Sequence, residues 1–374
     1  MNSIEDKLES QLIHLIKEKK SFSFYRLPSQ EEFRFIAQLE GQPEEYSSLS
    51  DLNNKKGFLV SPFKVEKEYP IILIRPEVEV SGLDNIREAL DRISSVETYP
   101  YGHIPLPAEE ERDEAEENRI YTTIFSRFIA PLKKGELKKI VLSRAHKIKH
   151  PNNFSILNSF FKATELYPHM MCYLCYTPQT GLWMGSTPEI ILSGKDKKWK
   201  TVSLAGTKPL GSYTDLTSGW DRKNIEEQEV VSRYIRSTLA THVSEVEEKG
   251  PYSGSAGTVI HLKTDFYFTL NDSGKIGNLL DDLFPTPAIC GFPKQAAFDF
   301  INENESYNRR YYSGIIGNLN PEGETELFVN LRCAEIGRST ITLYAGGGIM
   351  PTSSSDLEWE ETKYKMQTLL KVLQ

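Results

Sequence analysis

The stretch MMCYLCY, residues 170–176, is an uninterrupted apolar and aromatic run and is typical of a buried β-strand. Other strand-like segments lie on either side of it along the chain: Ile140 to Ala145, Ile190 to Ser193, Leu327 to Ala334 and Ile341 to Ala345. Helical patterns and Gly or Pro turns separate these segments without a regular strand–helix alternation. The pattern therefore predicts an α+β domain with antiparallel sheets in preference to a doubly wound parallel sheet.

The composition is that of a globular protein with a large core. Of the 374 residues, 39% are hydrophobic and 26% are charged, which indicates neither a disordered chain nor a membrane protein. The N-terminal residues carry acids early and a helical apolar pattern, so we expect no secretory signal. No later run approaches the roughly 20 apolar residues that cross a bilayer. We therefore expect a cytoplasmic protein without membrane segments.

The charge distribution gives nucleic acids little to bind. The formal net charge is -8, and the basic pairs at 133–134 and 138–139 follow a long acidic tract, so no basic stripe forms. An anionic substrate would have to be attracted by local cations, because the field of the whole protein is negative. No long apolar seam of the coiled-coil kind is present, and we expect a monomer.

The four cysteines are predicted to be reduced thiols. Cys172 and Cys175 form a CxxC, but they lie inside the apolar run, where core packing is favoured over a redox turn that opens a helix. Cys290 and Cys333 also have apolar neighbours, and no His or Cys has the spacing of a zinc site.

One predicted helix carries an acid on the face that should be buried. In residues 223–241, KNIEEQEVVSRYIRSTLAT, Glu227 precedes Val231 by four positions and Ile235 by eight, so it shares their apolar face. A lone buried carboxylate costs roughly several kcal/mol unless it is paired or metal-bound. Either Glu227 has a cationic partner or it is an edge residue that reaches solvent, and the helical pattern leaves both open.

The C-terminal helix shows the same feature. In SSSDLEWEETKYKMQTLLKVLQ, residues 353–374, Glu358, Glu361 and Lys365 fall on one line at i, i+3 and i+7. Local explanations exist: Glu358 can complete a capping box with the amide of Ser355, and Glu361 can form a surface ion pair with Lys365. Two helices nevertheless carry acids on the face that should be buried. This favours a shared hard-cation site, since magnesium prefers a few carboxylates, waters and substrate oxygens.

Two charged residues occur in predicted strands. In KKIVLSRA, residues 138–145, Lys139 is a general base if it is neutral, and otherwise a strand-edge lysine that aids solubility. ELFVNLRCAEI, residues 326–336, is predicted as one strand, with Arg332 on the face opposite Cys333. Arg332 is suited to a bidentate carboxylate contact, although an ordinary salt bridge explains it nearly as well.

Three consecutive glycines, 346–348 in LYAGGGIM, follow a predicted strand and precede a loop into the last helix. Consecutive glycines let backbone N–H groups converge on an anion. The same three residues could simply make a turn, so the triplet alone leaves both interpretations open.

Nine motifs can be read together in chain order: KIVLSR, MGSTPEIIL, LAGT, a helix with KNIEEQ, PTPAICGFP, NRRYYSG, VNLRCAEI, LYAGGGI and EWEETKYK. In this order they resemble the chorismate-utilising enzymes, the family of isochorismate, salicylate, anthranilate and aminodeoxychorismate synthases, from about Tyr121 to the C-terminus. The resemblance implies one domain over residues 1–374, with a variable part of about 1–115 and a catalytic part of about 116–374. It also implies two packed antiparallel sheets flanked by helices, with the active site between them.

The resemblance further implies roles for single residues by motif position. Lys139 looks like the base that activates water, and Glu189 looks like the acid that protonates the leaving hydroxyl. Glu227 and Glu361 match the family's Mg2+ ligands, with Glu358 close by as a ligand or a neighbour of one. The positions that match substrate contacts are Ala205, Gly206, Thr207, His261, Tyr312, Arg332, Gly346, Gly348 and Lys365. Without the resemblance, Glu189 could equally be exposed and His261 structural.

Within the family, the sequence predicts an isochorismate synthase, in which water adds at C2 of chorismate while the C4 hydroxyl leaves. The ammonia-using branches lack the Lys139 base, and Ala205 stands where the aminodeoxychorismate type has a nucleophilic lysine. We therefore expect no glutamine amidotransferase subunit. Ala288 stands where salicylate synthases tend to have threonine, and it therefore favours isochorismate as the product. Salicylate synthase is the alternative.

Two positions depart from the family pattern. Gln228 follows the metal-helix glutamate where histidine is usual, and Phe284 replaces a common histidine. Gln228 can still form hydrogen bonds near a metal site, whereas Phe284 cannot. Metal affinity and turnover are the properties that these changes are expected to affect.

Overall fold

The structure is a computed structural model that describes residues 3–94, 113–209, 219–243, 245–257, 259–270 and 272–373. The α-helices within these ranges are α1 (Ser3–Lys17), α2 (Leu83–Ile93), α3 (Glu114–Lys133), α4 (Ile156–Leu166), α5 (Arg222–Leu239), α6 (Ile276–Leu283), α7 (Lys294–Asn304) and α8 (Ser355–Leu370). The strands are β1 (Ser21–Arg26), β2 (Phe33–Gln38), β3 (Glu44–Tyr46), β4 (Gly57–Ser61), β5 (Ile71–Ile74), β6 (Val78–Ser81), β7 (Lys139–Lys149), β8 (Met171–Thr177), β9 (Gly181–Thr187), β10 (Ile190–Lys195), β11 (Lys198–Pro209), β12 (Val246–Ala256), β13 (Val259–Phe268), β14 (Gly291–Phe292), β15 (Ile315–Leu319), β16 (Glu324–Val329), β17 (Cys333–Ile336) and β18 (Thr340–Ile349).

The strands form two sheets. In the part of the chain that the structure describes, the first sheet has nine strands in the order β14-β7-β18-β17-β9-β8-β1-β2-β6, and the second has nine in the order β12-β13-β11-β10-β16-β15-β4-β5-β3. Neighbouring strands pair antiparallel, as in β7 with β18 and β11 with β13. The predicted α+β class with two antiparallel sheets is confirmed.

Strand β8 shows why its sequence is apolar without interruption. Leu174 packs in a cluster with α1 and α4 on the outer face of the first sheet, whereas Tyr173 packs between the two sheets with Phe58 of β4 and Phe328 of β16. Because neighbouring side chains of a strand point to opposite faces, a strand covered on both faces needs apolar residues at every position. Helices α5 and α6 cover the outer face of the second sheet in the same way.

The N-terminal part, for which no chemistry was predicted, contributes strands to both sheets. β1 pairs with β8 through Phe22 and Tyr176, and β4 pairs with β15 through Val60 and Ile316. Strands β2 and β6 extend the first sheet, and β3 and β5 extend the second. The two sheets that hold the C-terminal motifs are therefore completed by the first 81 residues.

The prediction of one strand over residues 327–334 is wrong. β16 ends at Val329 in the second sheet and β17 begins at Cys333 in the first, so the chain crosses from one sheet to the other between them. Arg332 lies at the crossing with φ 47°, a left-handed conformation that side-chain-bearing residues adopt rarely. The crossing removes the simple alternation of faces on which the strand prediction relied.

The glycine triplet is also placed differently from the predicted turn. Gly346, Gly347 and Gly348 lie inside β18, paired with residues 141–143 of β7. Their backbone is part of the sheet, so the missing side chains serve the close approach of groups above the strand and not a change of chain direction.

The cysteines are buried free thiols, as predicted. Cys172 and Cys175 pack in the clusters on opposite faces of the first sheet, which rules out a CxxC disulfide. Burial raises the pKa of both thiols. Among the described helices, none has the length and apolar character needed to span a membrane.

We expect Leu174→Ala to lower the melting temperature strongly, because Leu174 is 1% exposed in the cluster under α1 and α4. Leucine-to-alanine changes in such cores cost about 2–5 kcal/mol of unfolding free energy. Leu166→Ala is the matched control, since Leu166 is 54% exposed at the end of α4. Equal losses of stability for the two variants in thermal melts would contradict the layered arrangement.

Candidate active site

A cavity opens between the two sheets, with α5 and α8 beside it. The predicted residues that line it are Glu189, Ala205, Gly206, Thr207, Glu227, His261, Tyr312, Arg332, Gly346, Gly348 and Lys365. Three other predicted residues lie next to these: Lys139 contacts Glu227, Glu361 contacts Lys365, and Glu358 faces Gly347. The fold therefore brings together side chains from β7, β11, β13, β18 and both helices.

The first turn of α5 is docked on β11. Asp221 caps the helix by accepting a hydrogen bond from the amide of Asn224, and Asn224 in turn accepts one from the amide of Thr207 at 3.0 Å. Gly206 lies between them with φ 73°, where a Cβ would meet Asn224 at 3.1 Å. A glycine with positive φ is thus required at the point where the strand bulges towards the cavity.

Glu227 points inward from α5 and is paired with Lys139. Glu227 Oε1 lies 2.9 Å from Lys139 Nζ, and the lysine side chain is fully buried. The contact is an ion pair without hydrogen-bond geometry, so Nζ keeps its hydrogen-bonding capacity for another group. Gly348 lies directly below, and a Cβ there would collide with Glu227 and approach Lys139 Cε to 2.7 Å.

Glu361 and Glu358 lie beside Glu227, and we call these three carboxylates the acidic group. Glu361 Oε1 accepts a hydrogen bond of 2.7 Å from Lys365 Nζ, and Glu358 Oε1 accepts one of 2.6 Å from Lys223 Nζ. Burial opposes ionisation of Glu361, but the ammonium groups of Lys365 and Lys223 outweigh it and hold the pKa of Glu361 below its ordinary value. Burial and the neighbouring charge of Glu361 raise the pKa of Glu358.

The capping box expected for Glu358 is absent, whereas the ion pair expected for Glu361 is present but lies away from the surface. The residue that caps α8 is Ser354, its side chain makes no capping hydrogen bond, and Glu358 is 1% exposed and turned towards Lys223. The Glu361–Lys365 pair exists but is largely buried, with 19% and 14% of the side chains exposed. Tertiary partners outcompete the capping box because a buried carboxylate gains more from an ammonium group than from one amide.

Glu189 is a buried acid of a different kind. It is 3% exposed and follows Pro188 at the end of β9, so the alternative of an exposed residue is wrong. Burial raises the pKa of Glu189 to about 7, against the opposing charges of Lys139, Lys365 and Arg332. A carboxyl group with such a pKa holds a proton near neutral pH and can donate it.

Arg332 is held with free donors in the cavity. Its Nη2 lies 3.0 Å from His261 Nε2, while Nε and Nη1 are buried and have no hydrogen-bond partner among the described residues. Burial and the charges of Arg332 and Lys365 lower the pKa of His261 far below its ordinary value, so the ring is neutral. A neutral ring that donates from Nδ1 to the carbonyl of Gly206 at 3.0 Å leaves Nε2 as an acceptor for Arg332.

Aromatic rings form another wall of the cavity. Tyr312 stacks on Tyr344 with ring centroids 5.4 Å apart, and Tyr344 stacks in turn on Trp183 at 5.4 Å. Tyr312 and Tyr344 line the cavity. Tyr344 was not predicted, because a tyrosine in an apolar strand has no sequence feature that separates it from a core residue.

A buried ion pair behind the cavity was also not predicted. Arg309 donates hydrogen bonds of 2.8 Å to the carbonyl groups of Ile289 and Val141, and Glu305 accepts from the amide of Ser143 at 2.8 Å. Arg309 and Glu305 pair at 2.6 Å with 2% of each side chain exposed. Ile289 and Val141 line the cavity, so this pair fixes the distance between two of its walls.

The donor set fits magnesium as a cation with few protein ligands. Within the described ranges, no three His, Cys, Asp or Glu side chains form a ready-made metal cage. Glu358 Oε2 is buried without a hydrogen-bond partner among the described residues, and a Cβ on Gly347 would lie 2.9 Å from it and 3.4 Å from Glu361 Oε1. Magnesium needs only one or two carboxylates besides waters and substrate oxygens, so Glu227 and Glu361, with the free oxygen of Glu358, suit it.

The two departures from the family pattern lie outside this acidic group. The amide nitrogen of Gln228 donates to the carbonyl of Ser203 at 3.3 Å and to the hydroxyl of Thr264 at 3.2 Å, and so holds α5 on the second sheet. Phe284 is 7% exposed in the apolar cluster under α5 and α6. Both side chains make structural contacts.

A cavity with a buried acid of raised pKa, a buried lysine beside it and guanidinium donors that have no partner among the described residues is typical of an enzyme site for a small anion. The chain belongs to the family of chorismate binding enzymes, whose family model matches residues 44–374. It is 30% identical over 271 residues to isochorismate synthase EntC of Escherichia coli strain K12, covering 70% of this chain and 69% of EntC. It is also 30% identical over 248 residues to isochorismate synthase MenF of the same strain, covering 64% of this chain and 57% of MenF.

A solved structure supports the fold over nearly the whole chain. The structure of MenF, the menaquinone-specific isochorismate synthase from Escherichia coli, superimposes with a TM-score of 0.73. It covers 97% of this chain and 91% of MenF at 21% sequence identity. The N-terminal strands, on which the sequence motifs were silent, are therefore part of a fold that this relative shares.

We expect Gly348→Ala to reduce chorismate turnover by about 100-fold, the cost of displacing catalytic groups by about 1 Å. The added Cβ would push Glu227 and Lys139 apart, as their atoms occupy its place. Gly254→Ala is the matched control, because a Cβ there would meet only Lys263 at an ordinary 3.5 Å. Equal turnover by both variants, measured as loss of chorismate absorbance, would show that the glycine serves packing alone.

Proposed function

We propose that this protein is an isochorismate synthase that adds water at C2 of chorismate and releases the C4 hydroxyl. The observation that carries the proposal is a buried acid with a pKa of about 7 in the cavity, together with a buried lysine that pairs with the cavity residue Glu227. The similarity to EntC and MenF supports the same reaction.

Glu189 is the proposed proton donor to the leaving group. A C4 hydroxyl leaves as water only if it receives a proton, and a carboxyl group with a pKa near 7 supplies one at neutral pH. Three cations around the carboxylate, Lys139, Lys365 and Arg332, then stabilise the charge that the lost proton leaves behind.

Lys139 is the proposed base. It must be neutral to take a proton from the attacking water, and its Nζ has hydrogen-bonding capacity free for that water beside Glu227. The oxygen of the water bonds to C2, its proton passes to Nζ, and the ring double bonds shift as the C4–O bond breaks. Water enters at C2 and water leaves from C4, so the reaction is an isomerisation.

The cations of the cavity are proposed to hold the carboxylates of the substrate. Arg332 offers Nε and Nη1, and Lys365 Nζ lies at the carbonyl of Gly346 at 2.7 Å. Glu227 and Glu361 would hold magnesium, whose charge would offset that of the ring carboxylate among the acids. His261 orients Arg332, and Thr207 approaches His261 at 3.3 Å, so both are proposed to act near the substrate.

The choice of isochorismate as product rests on two small residues. Ala205 and Ala288 both line the cavity. Ala205 offers no amine nucleophile, and the proposed nucleophile is water, so no glutamine amidotransferase subunit is needed. We also propose that the enzyme is cytoplasmic and works as a monomer. Size-exclusion chromatography with light scattering would check the monomeric state.

The product is the first test. Purified protein incubated with chorismate and Mg2+ is expected to give isochorismate, identified by chromatography and mass spectrometry. Salicylate and pyruvate as the main stable products would contradict the proposal and establish the lyase alternative. Consumption of chorismate should cease when EDTA removes the metal and return when Mg2+ is added in excess.

The pH dependence tests Glu189. Since the folded enzyme holds the proton of Glu189 up to a pKa of about 7, kcat/KM is expected to fall as the pH rises above 7. Glu189→Gln should lower kcat by about 10²–10⁴-fold and remove this alkaline limb. A Glu189→Gln variant that keeps the wild-type rate and pH profile would exclude Glu189 as the acid.

A pair of neighbouring lysines tests the base. Lys139→Ala is expected to lower kcat by about 10²–10⁴-fold, because the water loses its proton acceptor. Lys138→Ala is the matched control, since Lys138 precedes Lys139 and is exposed. If both variants retained the wild-type rate, the assignment of the base would be wrong.

A further inference from the structure

Lys223 is a cation at the acidic group for which the proposed reaction has no role. Its Nζ donates a hydrogen bond of 2.6 Å to Glu358 Oε1, and the two side chains are 27% and 2% exposed. Lys223 lies four residues before Glu227 on α5, so both side chains project from the same face of the helix. It does not line the cavity that holds the proposed substrate contacts.

The position of Lys223 is electrostatically unfavourable for the helix itself. It lies in the first turn of α5, where the partial positive charge of the helix N-terminus disfavours cations. Arg222, its neighbour in the same turn, points to solvent with 92% of its side chain exposed and pairs with Glu226. Lys223 is therefore directed inward by the acids that it faces.

Each of the three carboxylates in the acidic group is in direct contact with one lysine. Glu227 is paired with Lys139, Glu361 with Lys365, and Glu358 with Lys223. The charges of Lys139 and Lys365 also act on Glu189, and Lys365 donates to the carbonyl of Gly346 at 2.7 Å. The charge of Lys223 instead interacts with Glu358, Glu227 and Glu361, which suits a cation whose task is charge balance.

The geometry at Glu358 leaves one oxygen for a second cation. Oε1 is bound to Lys223, while Oε2 is buried, has no hydrogen-bond partner in the part of the chain that the structure describes, and faces the same Gly347 position as Glu361 Oε1. A divalent cation between Glu358 and Glu361 would share Glu358 with an ammonium group on its other oxygen. Like charges on one carboxylate repel, and a medium of low polarity strengthens the repulsion.

We propose that Lys223 is an internal counter-cation, which stabilises the acidic group in the metal-free protein and weakens the binding of a divalent cation by competing for Glu358. Lys223 is a positioning residue and not a catalytic one. The inference rests on the proposed function only in taking Glu227, Glu358 and Glu361 as the metal-binding acids. The partial exposure of the Lys223 side chain gives its ammonium group a route to solvent when the metal binds.

Metal titration without substrate tests the proposal. Isothermal titration calorimetry of the full-length, metal-free protein with MgCl2 should give a dissociation constant about tenfold smaller for Lys223→Met than for the wild type. The metal-free variant should melt at a lower temperature than the wild type, and Mg2+ should raise its melting temperature by more. Lys223→Arg, which keeps the charge, is expected to bind Mg2+ as the wild type does.

Arg222→Met is the matched control, because it removes the same charge from the same helical turn but faces solvent. Its dissociation constant should stay within about twofold of the wild type. Weaker or unchanged Mg2+ binding by folded Lys223→Met would overturn the proposal, as would an equal gain in Arg222→Met. If Lys223→Met does not fold, Lys223→Gln takes its place under the same criteria.

The outcomes separate this proposal from the proposed function. Wild-type protein that forms isochorismate but binds no Mg2+ in the titration would overturn the role of Lys223 and leave the function in place. If Lys223→Met bound Mg2+ more tightly but the wild-type protein did not convert chorismate, the role of Lys223 would be supported and the proposed function overturned.

Discussion

The burial of three carboxylates between a β-strand and two helices is the constraint on which the rest of the site depends. Glu227, Glu358 and Glu361 are taken out of water, and buried charges are tolerated only with partners. Each acid meets a lysine at 2.6–2.9 Å. The helices α5 and α8 can approach β18 so closely only because glycines leave room above the strand.

The two-sheet architecture supplies the other half of this arrangement. β7 and β18 pair side by side, so Lys139 lies across from the glycine strand, and the chain crossing after β16 delivers Arg332 from the second sheet. Arg309 and Glu305 tie the wall at Val141 to the wall at Ile289. Lys139 is thus positioned by sheet register and the cavity walls by a buried ion pair, whereas Glu189 and Arg332 lie on the short connections after β9 and β16.

Periodicity predicted those parts of the structure in which local pattern and tertiary contacts agree. The run 170–176 is buried on both faces, and the helical phase of Glu227 placed it inside. Where long-range contacts determine the position of a side chain, the local pattern was insufficient. Glu358, for example, binds Lys223 and not the amide of Ser355 at the start of its own helix. The crossing at Arg332 depends on a second sheet whose strands lie far away in sequence, and the partners of the early strands likewise come from the C-terminal part.

The site contains two kinds of carboxylate, and both are largely removed from water. Glu361 is bonded to an ammonium group, which favours the anion and keeps its pKa low. Glu189 feels cations only at a distance, so desolvation prevails and its pKa rises to about 7. An ammonium partner alone does not decide the outcome, because Glu358 is bonded to Lys223 and its pKa is still raised by burial and by the charge of Glu361. The protonation of each acid is therefore set by the balance among burial, the neighbouring lysines and the charges of the other acids.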